Sequence, residues 1–466
     1  MAIVLLSVGF LASIAIVAWQ HVEIGQAERR IEELEEEEGG GGILGDLGDA
    51  LEEGLGALGG DTGELFECLL PDEPYSAAPI GDLPPREQVT AIAEAVEELR
   101  ELEFREPVEP RFLSPEEISA RVQELFLGEY TAATGDEEGR ILAALGAVPA
   151  GTDLRSLRAD LLGSQVAGFY DPQTGEMVVR QAGAELTVND RIVLAHELDH
   201  ALTDQALDLP LPDDLRAGRE DADLAATAVV EGDATMLMQR YATSLPLEDQ
   251  LGGLDPASIL DAAQAEADLA DLPHYLQAEL RFPYQAGLSF VCDRYSAGGW
   301  DAVDAAYHDP PDSSVEILFP DREGFRPAEP RPGRDPARDW QPAPSRQFGA
   351  ANLLWLFEAP GGDPELALPD AESLVGEWAG GAINLWTRGP DSAVALLLLD
   401  RPGGTSLCQA VSDWYRQAFP DDEEHVDEPR ALVADGPRQD AVLTCVGDEV
   451  RLGIAPQVRT AAAVVR

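Results

Sequence analysis

The sequence predicts an α+β protein with a long, mainly helical first part, a small C-terminal α+β domain and an N-terminal transmembrane helix. Three observations lead to this prediction. Apolar residues recur at helical spacing through much of residues 85–325, short apolar runs of the strand type follow after residue 346, and an uncharged apolar run opens the chain. With 466 residues, 45% of them hydrophobic, the chain is long enough for about two to three domains, each with its own core.

The charge balance excludes one class of function. The formal net charge is −57, from 88 acidic and 31 basic residues, and none of the basic residues is lysine. A surface this negative repels phosphate backbones, so the sequence predicts that the protein does not bind nucleic acid. A GC-rich genome and a solvent of high ionic strength are two environmental causes of such a bias.

The N-terminal run is expected to anchor the chain in a membrane. Ala2 to Trp19 carry no charge, and a spanning helix needs roughly 20 apolar residues. A cleaved signal peptide is the alternative, but it normally has a basic region before the run and a small-residue cleavage site. We therefore predict a single-pass signal anchor over residues 1–22. Orientation is weakly specified, since Arg29 and Arg30 follow the run within an acidic stretch.

Residues 23–64 are acidic and rich in glycine, which predicts a flexible tether that holds the folded part away from the bilayer. The four cysteines have no metal-binding spacing, and their even number suits one or two disulfides outside the cell, with buried free thiols as the alternative. They are Cys68, Cys292, Cys408 and Cys445. The expected location is therefore the cell membrane, with the folded part outside the cytoplasm.

Three helices and a hairpin are predicted before residue 181. The helices have apolar residues at helical spacing and are expected over Pro85–Arg105, Ser114–Leu127 and Asp153–Leu162. Residues 165–180 then combine two short strand-like runs with a turn that contains Asp171 and Gly175, which is typical of a β-hairpin.

The segment Arg191–Leu207 contains His196, Glu197 and His200 in the pattern HExxH. Four residues span about one helical turn, so both imidazoles project from the same face and can take two positions of a tetrahedral zinc ion. Glu197 then lies beside them as a general base for a zinc-activated water. The alternative is an ordinary pair of buried core histidines.

A catalytic zinc needs a third protein ligand, and Glu231 is the best candidate. It stands in the middle of an apolar segment that predicts a buried helix, where an unpaired carboxylate would be costly. Asp233 is two residues further on and so faces away from Glu231. We therefore interpret Asp233 as a hydrogen-bonding residue behind the ligands.

An HExxH helix followed by a helix with a ligand glutamate resembles the gluzincin zinc metallopeptidases, which include thermolysin. The finer pattern is similar to a group of bacterial membrane-anchored or secreted gluzincin-like proteins; it consists of GFYDP, HELDHALTDQ, VVEGDAT and PPDSSVEILFP. The resemblance implies a thermolysin-like zincin core within residues 65–325, with His196, His200 and Glu231 as zinc ligands and Glu197 as general base.

Two departures from thermolysin matter. The interval between His200 and Glu231 is longer than the corresponding interval in thermolysin. Thermolysin also has an aspartate four residues after the ligand glutamate, and Thr235 stands at that position here. A carboxylate that orients a ligand must come from elsewhere, with Asp233, Asp199 or Asp223 as candidates.

The resemblance also suggests how substrate is bound. In gluzincins an edge strand pairs with extended substrate, and the hairpin before the HExxH helix is placed for this role, although it can equally be purely structural. The oxyanion needs a hydrogen-bond donor besides zinc, and Tyr284 is the first choice. Tyr170, His274 and His308 are the alternatives.

The rest of the chain is expected to support the cleft. Residues 282–300 predict a buried helix that ends at a Gly-Gly pair, and a helix and a turn follow it. A Pro-rich linker over residues 326–345 precedes the C-terminal domain, 346–466. Its predicted helices are Arg346–Glu358 and Leu407–Phe419. Its predicted strands are Ala382–Thr387, Ala393–Leu399, Ala441–Val446 and Glu449–Ile454. A Cys408–Cys445 disulfide would join one helix to one strand. Substrate or envelope binding is an alternative role for this domain.

Together these features predict a membrane-anchored zinc peptidase that hydrolyses peptide or protein substrates. The alternative from another class is a catalytically inactive gluzincin-like binding or regulatory protein of the cell envelope.

Overall fold

The computed structural model describes residues 5–8, 68–70, 75–181, 186–207, 209, 218–252, 264–265, 267–428 and 431–466. Helices make up 54% of the structure and strands 17%, so the mixed α and β class predicted from the sequence is confirmed. Among the described residues before 320, the helices with defined bounds are α1 (Pro85–Arg100), α2 (Pro115–Glu129), α3 (Ala132–Ala144), α4 (Leu154–Gln165), α5 (Val188–Leu207), α6 (Glu220–Ser244), α7 (Leu247–Gly252), α8 (His274–His308) and α9 (Ser314–Leu318). The strands there are β1 (Leu5–Val8), β2 (Arg111–Leu113), β3 (Val166–Asp171) and β4 (Glu176–Arg180).

Local chemistry sets the helix ends. Helix α1 stops at Arg100, short of the predicted end, because Glu101 takes a left-handed conformation with φ 60°. Helix α2 begins with a capping box, in which the Ser114 side chain accepts from the backbone of Glu117 and the Glu117 side chain accepts from the backbone of Ser114. The sequence did not predict α3, because its two glycines weaken the helical pattern.

The first sheet has the strand order β1-β3-β4-β2. Strands β3 and β4 form the predicted antiparallel hairpin, and β2 pairs parallel with β4. The turn is held by Asp171, whose carboxylate accepts from the Gln173 backbone at 3.0 Å and the Thr174 hydroxyl at 2.7 Å. All six residues of β3 are buried, because this strand lies between β1 and β4 in the sheet and packs against α2 and α5.

Helices α5, α6 and α8 form the centre of the first part. Helix α6 is buried along most of its length, and α8 crosses it at very short range. A Cβ added to Gly232 in α6 would lie 2.3 Å from the backbone carbon and oxygen of Gly287 in α8. The two glycines therefore allow backbone contact between the helices. Helix α8 continues past the predicted end, with non-helical Gly298 and Gly299 as a kink inside it.

We expect Gly232→Ala to lower the free energy of unfolding by roughly 3 kcal/mol, because the new methyl group would push against the α8 backbone, which cannot rotate away. Urea denaturation of the purified chain measures the change. Gly128→Ala in α2 is the matched control, since a Cβ there meets nothing within 4 Å and alanine is favoured over glycine in a helix by roughly 0.5–1 kcal/mol. Equal unfolding midpoints for the two variants would contradict the close-contact explanation.

The C-terminal part contains a second sheet with the order β5-β7-β8-β12-β11-β10-β9, and β6 also pairs with β7. Its strands are β5 (Gln341–Pro342), β6 (Arg346–Gln347), β7 (Trp378–Arg388), β8 (Asp391–Asp400), β9 (Glu423–Glu428), β10 (Ala431–Asp435), β11 (Asp440–Val446) and β12 (Glu449–Ala455). Its helices are α10 (Ala350–Glu358), α11 (Ala371–Val375), α12 (Ser406–Ala418) and α13 (Val458–Val464). The sequence predicted the central strands but missed β9 and β10. Strand β9 is largely acidic, and β10 is short.

The hydrophobic core continues from the first part of the chain into the C-terminal part. One contiguous cluster includes Val96, Leu237 and Leu288 as well as Leu354 and Leu396. The Pro-rich stretch 326–345 runs along the second sheet, where β5 pairs with β7. The C-terminal part therefore supports the first part through shared packing.

Two disulfide bonds cross-link the fold. Cys408 of α12 is bonded to Cys445 of β11, the pair that the sequence suggested, and Cys68 is bonded to Cys292 of α8. The second bridge ties residues 68–70 to the helix that crosses α6.

The N-terminal residues that the structure describes differ from the prediction. Within the predicted anchor, 1–22, Leu5–Val8 form strand β1, which pairs antiparallel with β3. This pairing has a physical reason, because the open edge of β3 offers backbone hydrogen bonds to an extended segment. Among the described residues no helix is long and apolar enough to cross a membrane. The rest of the anchor and the tether, 23–64, lie outside the described residues.

Candidate metal centre

Helix α5 carries the HExxH segment through the interior. It begins where Thr187 and Asp190 exchange hydrogen bonds, from the Thr187 backbone to the Asp190 carboxylate at 2.9 Å and from the Asp190 backbone to the Thr187 hydroxyl at 3.1 Å. Every residue from Arg191 to Thr203 is buried. The histidines of the segment therefore lie in a dry environment with no exposed face.

Three side chains converge at one buried point. The Nε2 atoms of His196 and His200 are 3.0 Å apart, and Oε2 of Glu231 lies 3.2 Å from the first and 3.6 Å from the second. Both histidines are fully buried, and Glu231 is 3% exposed. In the part of the chain that the structure describes, these residues are the one group of three or more histidine, cysteine or acidic side chains close enough to hold a metal ion.

The spacing fits a tetrahedral metal ion. Nitrogen and oxygen ligands about 2.0 Å from a zinc ion lie about 3.3 Å from one another. The three distances of this site, 3.0, 3.2 and 3.6 Å, bracket that value. Two imidazoles and one carboxylate are also a donor set that catalytic zinc sites use.

The charges at the site are complementary. Burial and the neighbouring His200 lower the pKa of His196. Burial also opposes the protonated form of His200, but the negative charge and the hydrogen bond of Glu231 raise the pKa of His200 overall. Burial acts to raise the pKa of Glu231 as well, yet the two histidines bring it below its usual value. The two histidines therefore keep the buried Glu231 carboxylate ionised. A bound cation would stabilise the ionised carboxylate in the same way.

Glu197 is fully buried and lies against strand β3. A Cβ added to Gly168 of β3 would be 3.1 Å from Cγ and 3.2 Å from Oε1 of Glu197. The absence of a side chain at residue 168 thus lets the carboxylate reach the strand. Strand β3 pairs with β4 along one edge and with β1 along the other, where Ser7 stands opposite Gly168.

The predicted oxyanion donors lie in different places. Tyr284 of α8 is buried, and burial together with the charges of Glu231 and Glu197 holds its pKa well above the usual value, so its phenol is within the field of both carboxylates. The Tyr170 hydroxyl donates to Asp204 at 2.7 Å. His274 lies 3.1 Å from Glu358, and His308 is exposed at the end of α8.

The candidate orienting carboxylates are not hydrogen-bonded to the ligands. Asp233 accepts from Nε of Arg100 at 3.1 and 3.2 Å and from the Tyr307 hydroxyl at 2.7 Å. Asp223 lies near the start of α6, with Nε of Arg219 3.5 Å from its carboxylate.

Asp199 is fully buried, and neither of its oxygens has a hydrogen-bond partner among the described residues. Burial, and then the negative charge of Asp233, raise the pKa of Asp199 well above its usual value.

Sequence reasoning missed Arg100, which is fully buried and binds Asp233. It is the last residue of an amphipathic helix, a position where a basic residue ordinarily meets the helix dipole at the surface. The available signal was weak, because only the fold brings the end of α1 to the middle of α6.

Comparison with known proteins adds no relative. No family model, no curated protein and no solved structure matches this chain.

Proposed function

We propose that this protein is a zinc metallopeptidase of the gluzincin type, with a thermolysin-like zincin core. The observation that carries the proposal is the convergence of His196, His200 and Glu231 at one buried point, with the buried Glu197 next to His196 in the same helix. Chance histidine pairs in a core have no reason to meet a buried glutamate from another helix at metal-ligand spacing.

His196, His200 and Glu231 would hold the zinc ion. When bound, zinc supplies Lewis acidity, which lowers the pKa of a coordinated water and polarises a substrate carbonyl. Glu197 takes a proton from the attacking water and delivers it to the leaving amine. The dry surroundings of α5 strengthen each of these charge interactions, since water does not screen them.

Strand β3 is proposed to bind substrate through its backbone. Leu5–Val8 pair antiparallel with this strand, which supports the idea that its edge accepts an extended peptide. A peptide added in the same way would pass Gly168, and therefore Glu197. Tyr284 is proposed to donate a hydrogen bond to the oxyanion that forms on the substrate carbonyl.

We place this activity outside the cytoplasm, at the membrane, in a state of the chain in which Leu5–Val8 have left the β3 edge and the apolar run of residues 1–22 attaches the chain to the bilayer. The two disulfides support an oxidising compartment, where such bonds persist. Substrates are proposed to be peptides or proteins in that compartment, with no role for nucleic acid.

The test is zinc content together with hydrolysis of casein. We expect about one zinc per chain and cleavage that a zinc chelator abolishes and added zinc restores. The full chain and a form that starts at residue 65, in which β1 cannot occupy the β3 edge, are assayed at low and high salt because the net charge is −57.

Absence of zinc in both forms would overturn the proposal. Zinc retained without cleavage of casein or of a peptide library would favour the alternative, a metal-stabilised binding or regulatory protein.

A further inference from the structure

A second buried cluster lies behind the metal centre, where four helices meet. Arg100 comes from α1, Asp199 from α5, Asp233 from α6, and Asp304 and Tyr307 from α8. We propose that Arg100 is a positioning residue of the metal centre, which holds α5 and α6 at the separation where His200 and Glu231 converge. The inference rests on the proposed function, because it assigns a residue to the same site.

The two carboxylates of this cluster are next to metal ligands in the chain. Asp199 precedes His200 in α5, and Asp233 follows Glu231 by two residues in α6. A shift of either carboxylate therefore moves a ligand on the same helix turn. Both are fully buried, so water cannot compensate a charge on either of them.

Arg100 is placed to compensate the charge of Asp233. Its Nε lies 3.1 and 3.2 Å from the two oxygens of Asp233, and its Nη2 lies 2.6 Å from Asp304. Its guanidinium also stacks on the Trp300 ring, with 4.1 Å from Cζ to the ring centroid. A planar cation held by two carboxylates and a ring has little freedom to move, so it provides a rigid contact between α1, α6 and α8. Because α1 also packs against α5, this contact fixes the position of α6 relative to α5.

Without this cation, the fully buried Asp233 would be an uncompensated charge. Leaving one partner of a buried ion pair in place is costly, and the cost is relieved when α6 moves away from α1 and α5 so that water reaches Asp233. Because His196 and His200 belong to α5 and Glu231 to α6, the separation would pull the third ligand away from the other two.

Arg240 is a matched control within the same structure. It is 2% exposed, it lies on α6, and it also stacks on Trp300, with Cζ 5.2 Å from the ring centroid. Its Nε and Nη2 donate to the Cys68 carbonyl at 2.9 and 2.8 Å. Its replacement therefore removes a buried arginine from the same helix without exposing a carboxylate behind the ligands.

The experiment compares Arg100→Met and Arg240→Met in the full chain by competition for zinc with a chromophoric chelator. We expect the zinc dissociation constant of Arg100→Met to rise by about 10- to 100-fold, as for other residues that support metal ligands indirectly. Arg240→Met should bind zinc like the wild type, even where it lowers the unfolding midpoint. Wild-type affinity in Arg100→Met, or equal weakening in both variants, would overturn the proposal.

Arg100→Lys serves if Arg100→Met does not fold. Lysine keeps the charge but loses the planar contact with Asp233, so its zinc affinity should fall between those of the wild type and Arg100→Met. Wild-type affinity in Arg100→Lys would also count against the proposed geometry.

Amide hydrogen exchange separates this inference from the proposed function. Without any metal, Arg100→Met should exchange faster than Arg240→Met in the α5 segment around His196 to His200 and in α6 around Glu231. If the wild type binds no zinc, the proposed function fails, while this comparison still decides whether Arg100 holds the two helices together. Equal exchange in both variants would reject that role.

Discussion

Glu197→Gln is expected to lower peptide hydrolysis by about 10²- to 10⁴-fold, the usual contribution of a positioned general base. Glutamine has the shape of glutamate but cannot accept a proton from the attacking water. The Glu197 side chain is fully buried against β3, so an exposed carboxylate elsewhere on the surface cannot take over its role as the base. Zinc content should stay at the wild-type level, because Glu197 is outside the group His196, His200 and Glu231.

Single-turnover and steady-state cleavage of a peptide, with zinc measured in the same samples, test this expectation. Glu124→Gln is the matched control, since that side chain is 75% exposed in α2 and has no part in the proposed mechanism. A variant at Glu197 that keeps more than about one tenth of the wild-type rate would remove it from general-base catalysis. Loss of zinc along with activity would instead make it a residue of the metal centre.

Tyr284→Phe is expected to lower kcat by about 100-fold with little change in KM, because an oxyanion donor acts mainly in the transition state. Its pKa is raised, first by burial and then by the charges of Glu231 and Glu197, so the phenol keeps its proton and can donate at any working pH. Removing the hydroxyl leaves the ring, and with it the packing of α8, in place.

Tyr241→Phe is the control for this second prediction. Tyr241 is 1% exposed in α6, and its hydroxyl has no hydrogen-bond partner among the described residues. Its replacement should leave kcat and KM unchanged. If Tyr284→Phe raises KM and leaves kcat alone, Tyr284 contacts the bound substrate but does not stabilise the oxyanion.

Much of the local structure was predictable because it depends on neighbours in the chain. The capping residue Ser114, the turn residues Asp171 and Gly175 and the apolar spacing of α5 act within a few residues of themselves. Helix α3 was missed for the same reason, since its glycines weaken the local pattern while packing against other elements makes the helix stable.

The three residues of the candidate metal site were also predictable, but for two different reasons. His196 and His200 are one helical turn apart, so their common face follows from helix geometry alone. Glu231 belongs to another helix, and the sequence pointed to it only because a carboxylate within an apolar segment needs a partner. The distance of 3.2 Å between Oε2 of Glu231 and Nε2 of His196 depends on how α5 and α6 pack.

The sequence by itself determined the fold class, the HExxH helix, the candidate third ligand and the pairing of Cys408 with Cys445 as a possibility. Only the tertiary structure decided that Leu5–Val8 are extended along β3, that Gly232 and Gly287 bring α6 and α8 into backbone contact, and that Arg100 binds Asp233. The physical reason is the range of the interactions. Capping, turns and helical spacing act between residues close in the chain, whereas a buried ion pair joins residues 133 positions apart and exists only once the helices have packed.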